Sequence, residues 1–243
     1  MNNKTVGIIG AMDCEVNKLK SKLQNLETIK KGELVINTGV LHGHNIVLVK
    51  SGVGKVNAAM CTQLIIDKYE PDYIINTGIA GGVASGLHVG DIVAGESLVQ
   101  YDFDVSAIGY AKGYMCTGKN PDKPTVFYSD PTLIKEFEEA AKGTLNVHTG
   151  VIASGDTFVS DKNKKKEIKE TFNAAAVEME GCAIAQTATA NAVPFIIVRA
   201  ISDLADDTAA QDHEFVETEM AELSSSAIEK LLQRLTVLEE ANV

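Results

Sequence analysis

Two glutamates stand in a stretch of sequence that is otherwise apolar. The stretch reads AAVEMEGCAIA and contains Glu178 and Glu180, and a second apolar run, FIIVRAISD, contains Arg199 and Asp203. If both runs are strands, the two glutamates face one side, as do Arg199, Ile201 and Asp203, since residues two apart in a strand share a face. A buried arginine nearly always has a carboxylate partner. We therefore expect Arg199 to pair with Glu178 or Glu180, and a purely structural ion pair is the alternative to a catalytic cluster.

Other candidate residues follow the ends of predicted strands. Acids occur in GIIGAMDCEV, which contains Glu15, and glycines occur in SGVGK, TGIAGG and SGDTFV. Ligands of α/β proteins bind beyond the carboxyl ends of strands, so we expect these segments to converge. Each has a structural alternative, because Glu15 could be a first-turn acid favoured by the helix dipole and the glycines could form tight turns. SGVGK lacks the spacing of a phosphate-binding P-loop.

Strand-like and helix-like segments alternate along the chain. Several strand-like runs are continuously apolar, which is typical of strands covered on both faces. The predicted strands are 5–11, 33–39, 45–52, 73–78, 91–99, 149–154, 175–180 and 195–202. The predicted helices are 13–23, 55–69, 131–141, 161–172, 181–191 and 212–239. The alternation indicates an α/β fold with a parallel or mixed sheet between helices. The irregular segment 109–130 is expected to be a functional loop or part of an interface.

Composition limits the classes of function. The chain has 243 residues, 45% of them hydrophobic, which fits a single domain over residues 1–243. The formal net charge of −11 argues against a nucleic-acid or anionic-membrane surface, and the lysines of 162–169 are expected on a solvated helix capped by Asp161. The four scattered cysteines predict neither a zinc site nor a disulfide framework. We see no signal peptide or membrane span and expect a cytoplasmic protein.

Seven motifs occur in an order that resembles a known family. GIIGAMDCEV, SGVGKVNAA, INTGIAGG, VGDIV, SGDTFV, VEMEG and VPFIIVRAISDLAD run from Gly7 to Asp206, about four-fifths of the chain. They resemble the 5′-methylthioadenosine/S-adenosylhomocysteine nucleosidases of the nucleoside phosphorylase superfamily. The resemblance implies a three-layer α/β/α sandwich with a central mixed β-sheet, a homodimer, and hydrolysis of the N-glycosidic bond of an adenine nucleoside without metal or organic cofactor. It also implies a role in methionine salvage.

The resemblance further implies a role for each matching residue. Glu15 is the base that activates water, and Asp203 is the acid that protonates adenine N7. Glu180 holds the ribose hydroxyls, Met179 packs against the ribose, Phe158 stacks on adenine, the Val159 backbone contacts the base edge, and Arg199 and Ser202 support Glu15 and Asp203. The implied substrate-binding residues are Met12, Ile79, Ala80, Gly81, Phe158, Val159, Glu178, Met179, Glu180, Arg199 and Ser202. The implied 5′-substituent pocket consists of Val53, Val105, Ile108 and Cys116, with loop 104–116 reaching the active site of a neighbouring subunit.

The residue chemistry is compatible with this activity. Release of a purine passes through an oxocarbenium-like state and needs one carboxyl that keeps its proton and one that is ionised. Burial raises a carboxyl pKa, and the apolar strand before Asp203 provides that environment. The chain contains only two arginines, Arg199 and Arg234, and the acids Asp13 and Glu15 would repel phosphate, so we expect water as the nucleophile. A nucleoside phosphorylase, an aminodeoxyfutalosine nucleosidase and a non-catalytic nucleoside-binding module are the alternatives.

A few positions depart from the commonest pattern of the family or disagree with a regular strand. Ile79, Ile108 and Cys116 stand where many members have Ser, Phe and Pro, which leaves the preference among 5′-substituents open. In VEMEG, strand alternation alone would turn Met179 and Glu180 to opposite faces, although both are implied to touch one ribose. We therefore expect irregular backbone over 179–181, with Glu178 as a supporting acid.

Overall fold

The computed structural model describes residues 4–116 and 120–241, which form a ten-stranded mixed sheet with helices on both faces. The strands are β1 (Thr5–Gly10), β2 (Gln24–Lys31), β3 (Leu34–Leu41), β4 (His44–Lys50), β5 (Tyr73–Gly82), β6 (Ile92–Gln100), β7 (Phe127–Tyr128), β8 (Val147–Ser154), β9 (Ala174–Glu178) and β10 (Phe195–Asp203). The helices are α1 (Asp13–Lys22), α2 (Lys55–Tyr69), α3 (Pro131–Ala141), α4 (Lys162–Phe172), α5 (Gly181–Ala190) and α6 (Ala209–Ala241). A short 3₁₀ turn spans Ser106–Ile108.

Five of the strands close into a ring. β5 runs parallel to both β1 and β10, and β10 continues antiparallel into β6. β6 pairs in parallel with β8, and β8 pairs in parallel with β9. β9 closes the ring by pairing antiparallel with the last residues of β5. The ends of β5, β9 and β10 therefore meet at one place, as strand ends do at the mouth of a small barrel.

The helices form two outer layers on the sheet. On one face α1, α3 and α6 bury residues such as Leu19, Phe137 and Leu232, and on the other face α2 and α5 bury Ile65 and Ile184. Each fully buried side chain of this kind stabilises the fold by roughly 1.5–3 kcal/mol. The predicted three-layer α/β/α fold with a central mixed sheet is thus confirmed.

The longest helix described is α6, with 33 residues. Its buried residues Ile228, Leu231 and Leu235 lie three or four apart, as on one face of a helix, and pack in the core against the sheet. Across 4–116 and 120–241, no helix, α6 included, is both long and apolar enough to cross a lipid bilayer.

Most elements match the sequence-based bounds, and the differences have physical causes. The helices over 55–69 and 131–141 begin and end as predicted, and Asp161 caps α4 through the Lys164 N–H at 2.7 Å. The edge strand β2 was not predicted because all of its residues are exposed and carry no apolar pattern. β5 extends to Gly82, so the TGIAGG glycines lie inside a strand and not in a turn after it.

Candidate active site

A cavity of about 220 Å³ opens where the ends of β1, β5, β9 and β10 meet. All of the predicted catalytic and substrate-binding residues line it, together with Val53. The lining is Ala11, Met12, Glu15, Val53, Ile79, Ala80, Gly81, Thr157, Phe158, Val159, Val177, Glu178, Met179, Glu180, Arg199, Ser202, Asp203 and His213. The fold therefore brings together residues from segments that are up to about 200 positions apart in the sequence.

Glu15 is held in the first turn of α1 by three backbone N–H groups. Its Oε2 accepts hydrogen bonds from Ala11 at 2.6 Å and Met12 at 3.0 Å, and its Oε1 accepts one from Ile79 at 3.1 Å. The residue is 1% exposed. Burial raises the pKa of the Glu15 carboxyl above its ordinary value, against the lowering effects of Arg199 and of these N–H groups. Glu15 is thus a fixed carboxylate whose affinity for a proton is increased, as a general base requires.

Arg199 lies at the centre of a buried cluster of acids. Its Nη2 donates to Glu178, to Glu180 at 3.4 Å and to the Asn76 Oδ1 at 2.6 Å, while its Nη1 lies 3.8 Å from the Glu15 Oε1. Arg199 therefore pairs with both glutamates of VEMEG and not with one of them. Three carboxylates share one guanidinium, so their negative charge is only partly compensated.

The glycine Gly78 of β5 makes room for this cluster. A Cβ atom at this position would overlap the Arg199 Nη1 and lie 2.5 Å from the Glu15 Oε1. Further along β5, a Cβ at Gly81 would lie 2.9 Å from the Asp203 Oδ1. Gly78 and Gly81 of the TGIAGG motif therefore let acid and arginine side chains pack against the strand, and a tight turn does not explain them.

The backbone is irregular after Glu178, as expected. β9 ends at Glu178, and Glu180 has φ −132° and ψ −38°, outside the strand conformation. The Glu178 carboxylate turns back to accept hydrogen bonds from the N–H groups of Glu180 at 3.0 Å and Gly181 at 2.7 Å, and from the Ser154 hydroxyl. Glu178 therefore already accepts hydrogen bonds from the backbone, from Ser154 and from Arg199.

Glu180 points toward the N-terminus of α2. Its Oε1 accepts a hydrogen bond from the Gly54 N–H at 2.8 Å. Burial raises the pKa of Glu180 to about 7, with a lowering effect of Arg199 and a further rise from Glu178. Fewer protein donors reach Glu180 than Glu178, so it retains acceptor capacity for a ligand.

Asp203 is placed by a bulge at the end of β10. Ile201 pairs with Ala80 and Asp203 with Gly81, so that one extra residue, Ser202, interrupts the strand alternation. The expectation that Ile201 and Asp203 share a face by simple alternation is therefore wrong. The Asp203 carboxylate accepts hydrogen bonds from the Ser202 hydroxyl and the Ala205 N–H, each at 2.8 Å. Burial nevertheless raises the pKa of Asp203 above its ordinary value, which favours a carboxyl that keeps its proton.

Some residues of the site were not predicted, and some predicted residues lie elsewhere. Ala11, Thr157 and Val177 lie inside the quoted motifs GIIGAMDCEV, SGDTFV and VEMEG, next to residues that were singled out, but none of the three was assigned to the site. His213 lies near the start of α6 with its ring 5.3 Å from that of Phe158, and no motif pointed to it. Conversely, Val105, Ile108 and Cys116 of the predicted 5′-substituent pocket do not line this cavity of their own chain.

The sequence model of the phosphorylase superfamily matches residues 5–236. The chain belongs to this superfamily. A 5′-methylthioadenosine/S-adenosylhomocysteine nucleosidase of Staphylococcus aureus (strain JH9) is 41% identical over 232 residues, which are 95% of this chain and 100% of the relative. The chain therefore also belongs to the family of these nucleosidases.

Solved structures of the nucleosidase family have the same fold. The Neisseria meningitidis 5′-methylthioadenosine/S-adenosylhomocysteine nucleosidase in complex with methylthio-immucillin-A is 39% identical, with a TM-score of 0.88, and the match covers 95% of this chain and 99% of that one. The Streptococcus pyogenes S-adenosylhomocysteine nucleosidase in complex with 5-methylthiotubericidin is 37% identical, with a TM-score of 0.89 over 97% and 98% of the two chains. Because the matches cover nearly complete chains, this chain has the fold of these nucleosidases over almost its full length.

The site of this nucleosidase-family chain has the parts needed to cleave a glycosidic bond. Glu15 lies beside Gly78 and Asp203 beside Gly81, so the two acids approach the same strand, β5, at positions three residues apart. Among the described residues, no group of three or more His, Cys, Asp or Glu side chains is arranged to hold a metal ion.

Proposed function

We propose that the protein hydrolyses the N-glycosidic bond of 5′-methylthioadenosine and S-adenosylhomocysteine, and of 5′-deoxyadenosine, with release of adenine. The observation that carries the proposal is the pairing, in one cavity, of a buried Asp203 with a raised pKa and a Glu15 fixed by backbone N–H groups. The Staphylococcus aureus relative and the Neisseria meningitidis structure, both 5′-methylthioadenosine/S-adenosylhomocysteine nucleosidases, support it.

In this mechanism the two acids act on opposite ends of the bond that breaks. Asp203 donates its proton to adenine N7, which makes the base a better leaving group. Glu15 takes a proton from the attacking water, and the negative charge of Glu15 and Glu180 stabilises the developing positive charge at C1′. Glu180 accepts hydrogen bonds from the ribose hydroxyls, Phe158 stacks on the base, and Arg199 keeps Glu15 in place. Each positioned acid or base contributes about 10²–10⁴-fold to the rate.

Water is favoured over phosphate because the cationic and N–H groups at the cavity already have acidic partners. Among the described residues that line it, Arg199 is the only arginine or lysine, and three carboxylates surround its guanidinium. The first N–H groups of α2, which could bind an anion, instead donate to Glu180 and Asp156. This charge arrangement favours a hydrolase over a phosphorylase.

Adenine release tests the proposal directly. We expect the purified protein to release adenine from 5′-methylthioadenosine and S-adenosylhomocysteine at the same rate with and without inorganic phosphate, measured by absorbance and chromatography. Formation of a ribose 1-phosphate would indicate a phosphorylase, and absence of adenine release would favour a nucleoside-binding module. Comparing kcat/KM with 5′-deoxyadenosine and 6-amino-6-deoxyfutalosine ranks the 5′-substituents and tests the futalosine alternative.

We also propose a homodimer in which loop 104–116 completes the 5′-substituent pocket of the neighbouring subunit. Val105, Ile108 and Cys116 do not line the cavity of their own chain, and Ile108 is 70% exposed. The outer side of α2, next to the cavity, exposes Val56 at 70% and Met60 at 58%, an apolar surface that favours association.

An Ile108→Glu substitution tests the dimer. A buried glutamate at an apolar interface is unfavourable, so we expect a shift toward monomer in light scattering and at least about a tenfold rise in KM for 5′-methylthioadenosine. Val237→Glu is a matched control, since Val237 is 63% exposed on α6 and outside the cavity. A monomeric, fully active wild-type protein would contradict the dimer and leave the proposed hydrolysis intact.

A further inference from the structure

The segment 155–159, which carries Phe158 and Val159 into the cavity, has no helix or strand of its own. The Gly155 N–H donates to the Glu178 carbonyl at 3.1 Å, and the Tyr101 hydroxyl donates to the Thr157 carbonyl at 3.1 Å. A Cβ at Gly155 would lie 2.5 Å from the Tyr101 ring, so the segment and the ring are in close contact. The position of the segment 155–159 therefore depends on its contacts with neighbouring elements.

One of these contacts reaches α2 through the side chain of Asp156. The Asp156 Oδ1 accepts a hydrogen bond from the Lys55 N–H at 2.8 Å. The preceding N–H of the same helix end, that of Gly54, donates to the Glu180 Oε1 at 2.8 Å. Gly54 is the N-cap residue of α2 and has no side chain to cap the helix. Asp156 and Glu180 therefore supply the cap from two other segments of the chain.

The Lys55 side chain strengthens the contact between the start of α2 and the segment 155–159. Its Nζ lies 2.5 Å from the Asp102 Oδ1, 3.3 Å from the Gln100 Oε1 and 3.8 Å from the Asp156 Oδ2. Asp102 in turn accepts a hydrogen bond from the Asp156 N–H at 2.9 Å. Lys55 is mostly buried, with 17% of its side chain exposed. The junction joins the end of β6, the start of α2 and the segment after β8.

We propose that Asp156 is a positioning residue that fixes the base-binding segment 155–159 to the same helix end that holds Glu180. The inference rests on the proposed function. Phe158 and Val159 would contact the base and Glu180 the ribose, so their common attachment to α2 sets the distance between the two halves of a bound nucleoside. Asp156 is half exposed, lines no part of the cavity and touches no reacting atom.

Loss of this attachment should weaken nucleoside binding more than it slows the chemical step. Asp203 and Glu15 are anchored by β10, β5 and α1, through hydrogen bonds from Ser202, Ala205, Ala11 and Ile79 that involve neither Asp156 nor Lys55. The acid and the base therefore keep their geometry when the junction opens. The bound nucleoside, by contrast, loses a preorganised spacing between its base and ribose contacts.

The Asp156→Ala variant tests the proposal through KM and kcat. We expect KM for 5′-methylthioadenosine to rise about five- to tenfold, which corresponds to a helix cap worth about 1 kcal/mol, with kcat within about threefold of the wild type. Asp156→Asn keeps an acceptor oxygen for the Lys55 N–H and should restore KM to within about twofold. If Asp156→Ala does not fold, Lys55→Met, which keeps the backbone N–H, should still raise KM by about threefold.

The matched control is Asp130→Ala. Asp130 caps α3 through the N–H groups of Thr132 at 2.9 Å and Leu133 at 3.0 Å, away from the cavity. It should lower the melting temperature about as much as Asp156→Ala and leave KM unchanged. An unchanged KM in Asp156→Ala, or a KM in Asp156→Asn as high as in Asp156→Ala, would overturn the inference. A wild-type protein that releases no adenine would instead overturn the proposed function.

Discussion

Asp203→Asn should lower kcat for adenine release by about 10²–10⁴-fold and leave the fold intact. Asparagine has the size of aspartate; its oxygen can still accept the hydrogen bond from the Ala205 N–H, and its NH2 group can donate to the Ser202 hydroxyl oxygen. It cannot donate a carboxyl proton to N7, so the leaving group departs as a poor anion. The measurement is the rate of adenine formation at saturating 5′-methylthioadenosine, with nucleoside binding followed by calorimetry.

The stability of this variant has a predictable sign. Burial raises the folded-state pKa of Asp203, so this carboxyl contributes stability at low pH that is lost as the pH rises through its folded-state pKa. Asp203→Asn should therefore be at least as stable as the wild type at neutral pH. Asp91→Asn is the matched control, a buried acid outside the cavity whose pKa is lowered because the His88 N–H and Asn146 outweigh burial. It should lose stability but keep kcat, and an Asp203→Asn enzyme within tenfold of wild-type kcat would exclude Asp203 as the acid.

The parts of the fold that the sequence predicted are those in which local pattern and tertiary packing agree. α3 begins at Pro131 after Asp130, a capping residue followed by proline, and its apolar spacing continues into the core. β2 gave no signal because an exposed edge strand is held by backbone pairing with β3, which requires no particular side chains. The extension of β5 to Gly82 was missed because its glycines are explained only by side chains packed on them from other strands.

The sequence predicted most of the residues that form the site, but not which of their side chains pair with one another. The motif order identified each residue of the acid and arginine cluster, yet strand alternation could not show that one guanidinium serves both Glu178 and Glu180. That arrangement depends on β9 ending at Glu178 and on the Gly54 N–H drawing Glu180 toward α2. His213 escaped prediction because its position depends on how α6 returns over the cavity, which no local spacing encodes.

Arg199→Met should lower the free energy of unfolding by about 3–5 kcal/mol at neutral pH, because it leaves three buried acids without their cation. The wild type already has a raised pKa at Glu15, and the pKa of Glu180 is raised to about 7, mainly through burial. Groups with a raised folded-state pKa give stability that is present at low pH and lost as the pH rises through that pKa. Without Arg199 these pKa values rise further, so the deficit should be larger at pH 8 than at pH 5, measured by urea unfolding.

The second arginine of the chain provides the control for this effect. The Arg234 Nε lies 2.5 Å from the Glu136 Oε2, and 35% of the Arg234 side chain is exposed, so solvent screens this pair. Arg234→Met should lower stability by about 1 kcal/mol or less, with little difference between pH 5 and pH 8 and no change in kcat. An Arg199→Met protein as stable as the wild type at pH 8 would contradict the inference that the buried acids depend on this guanidinium for their stability.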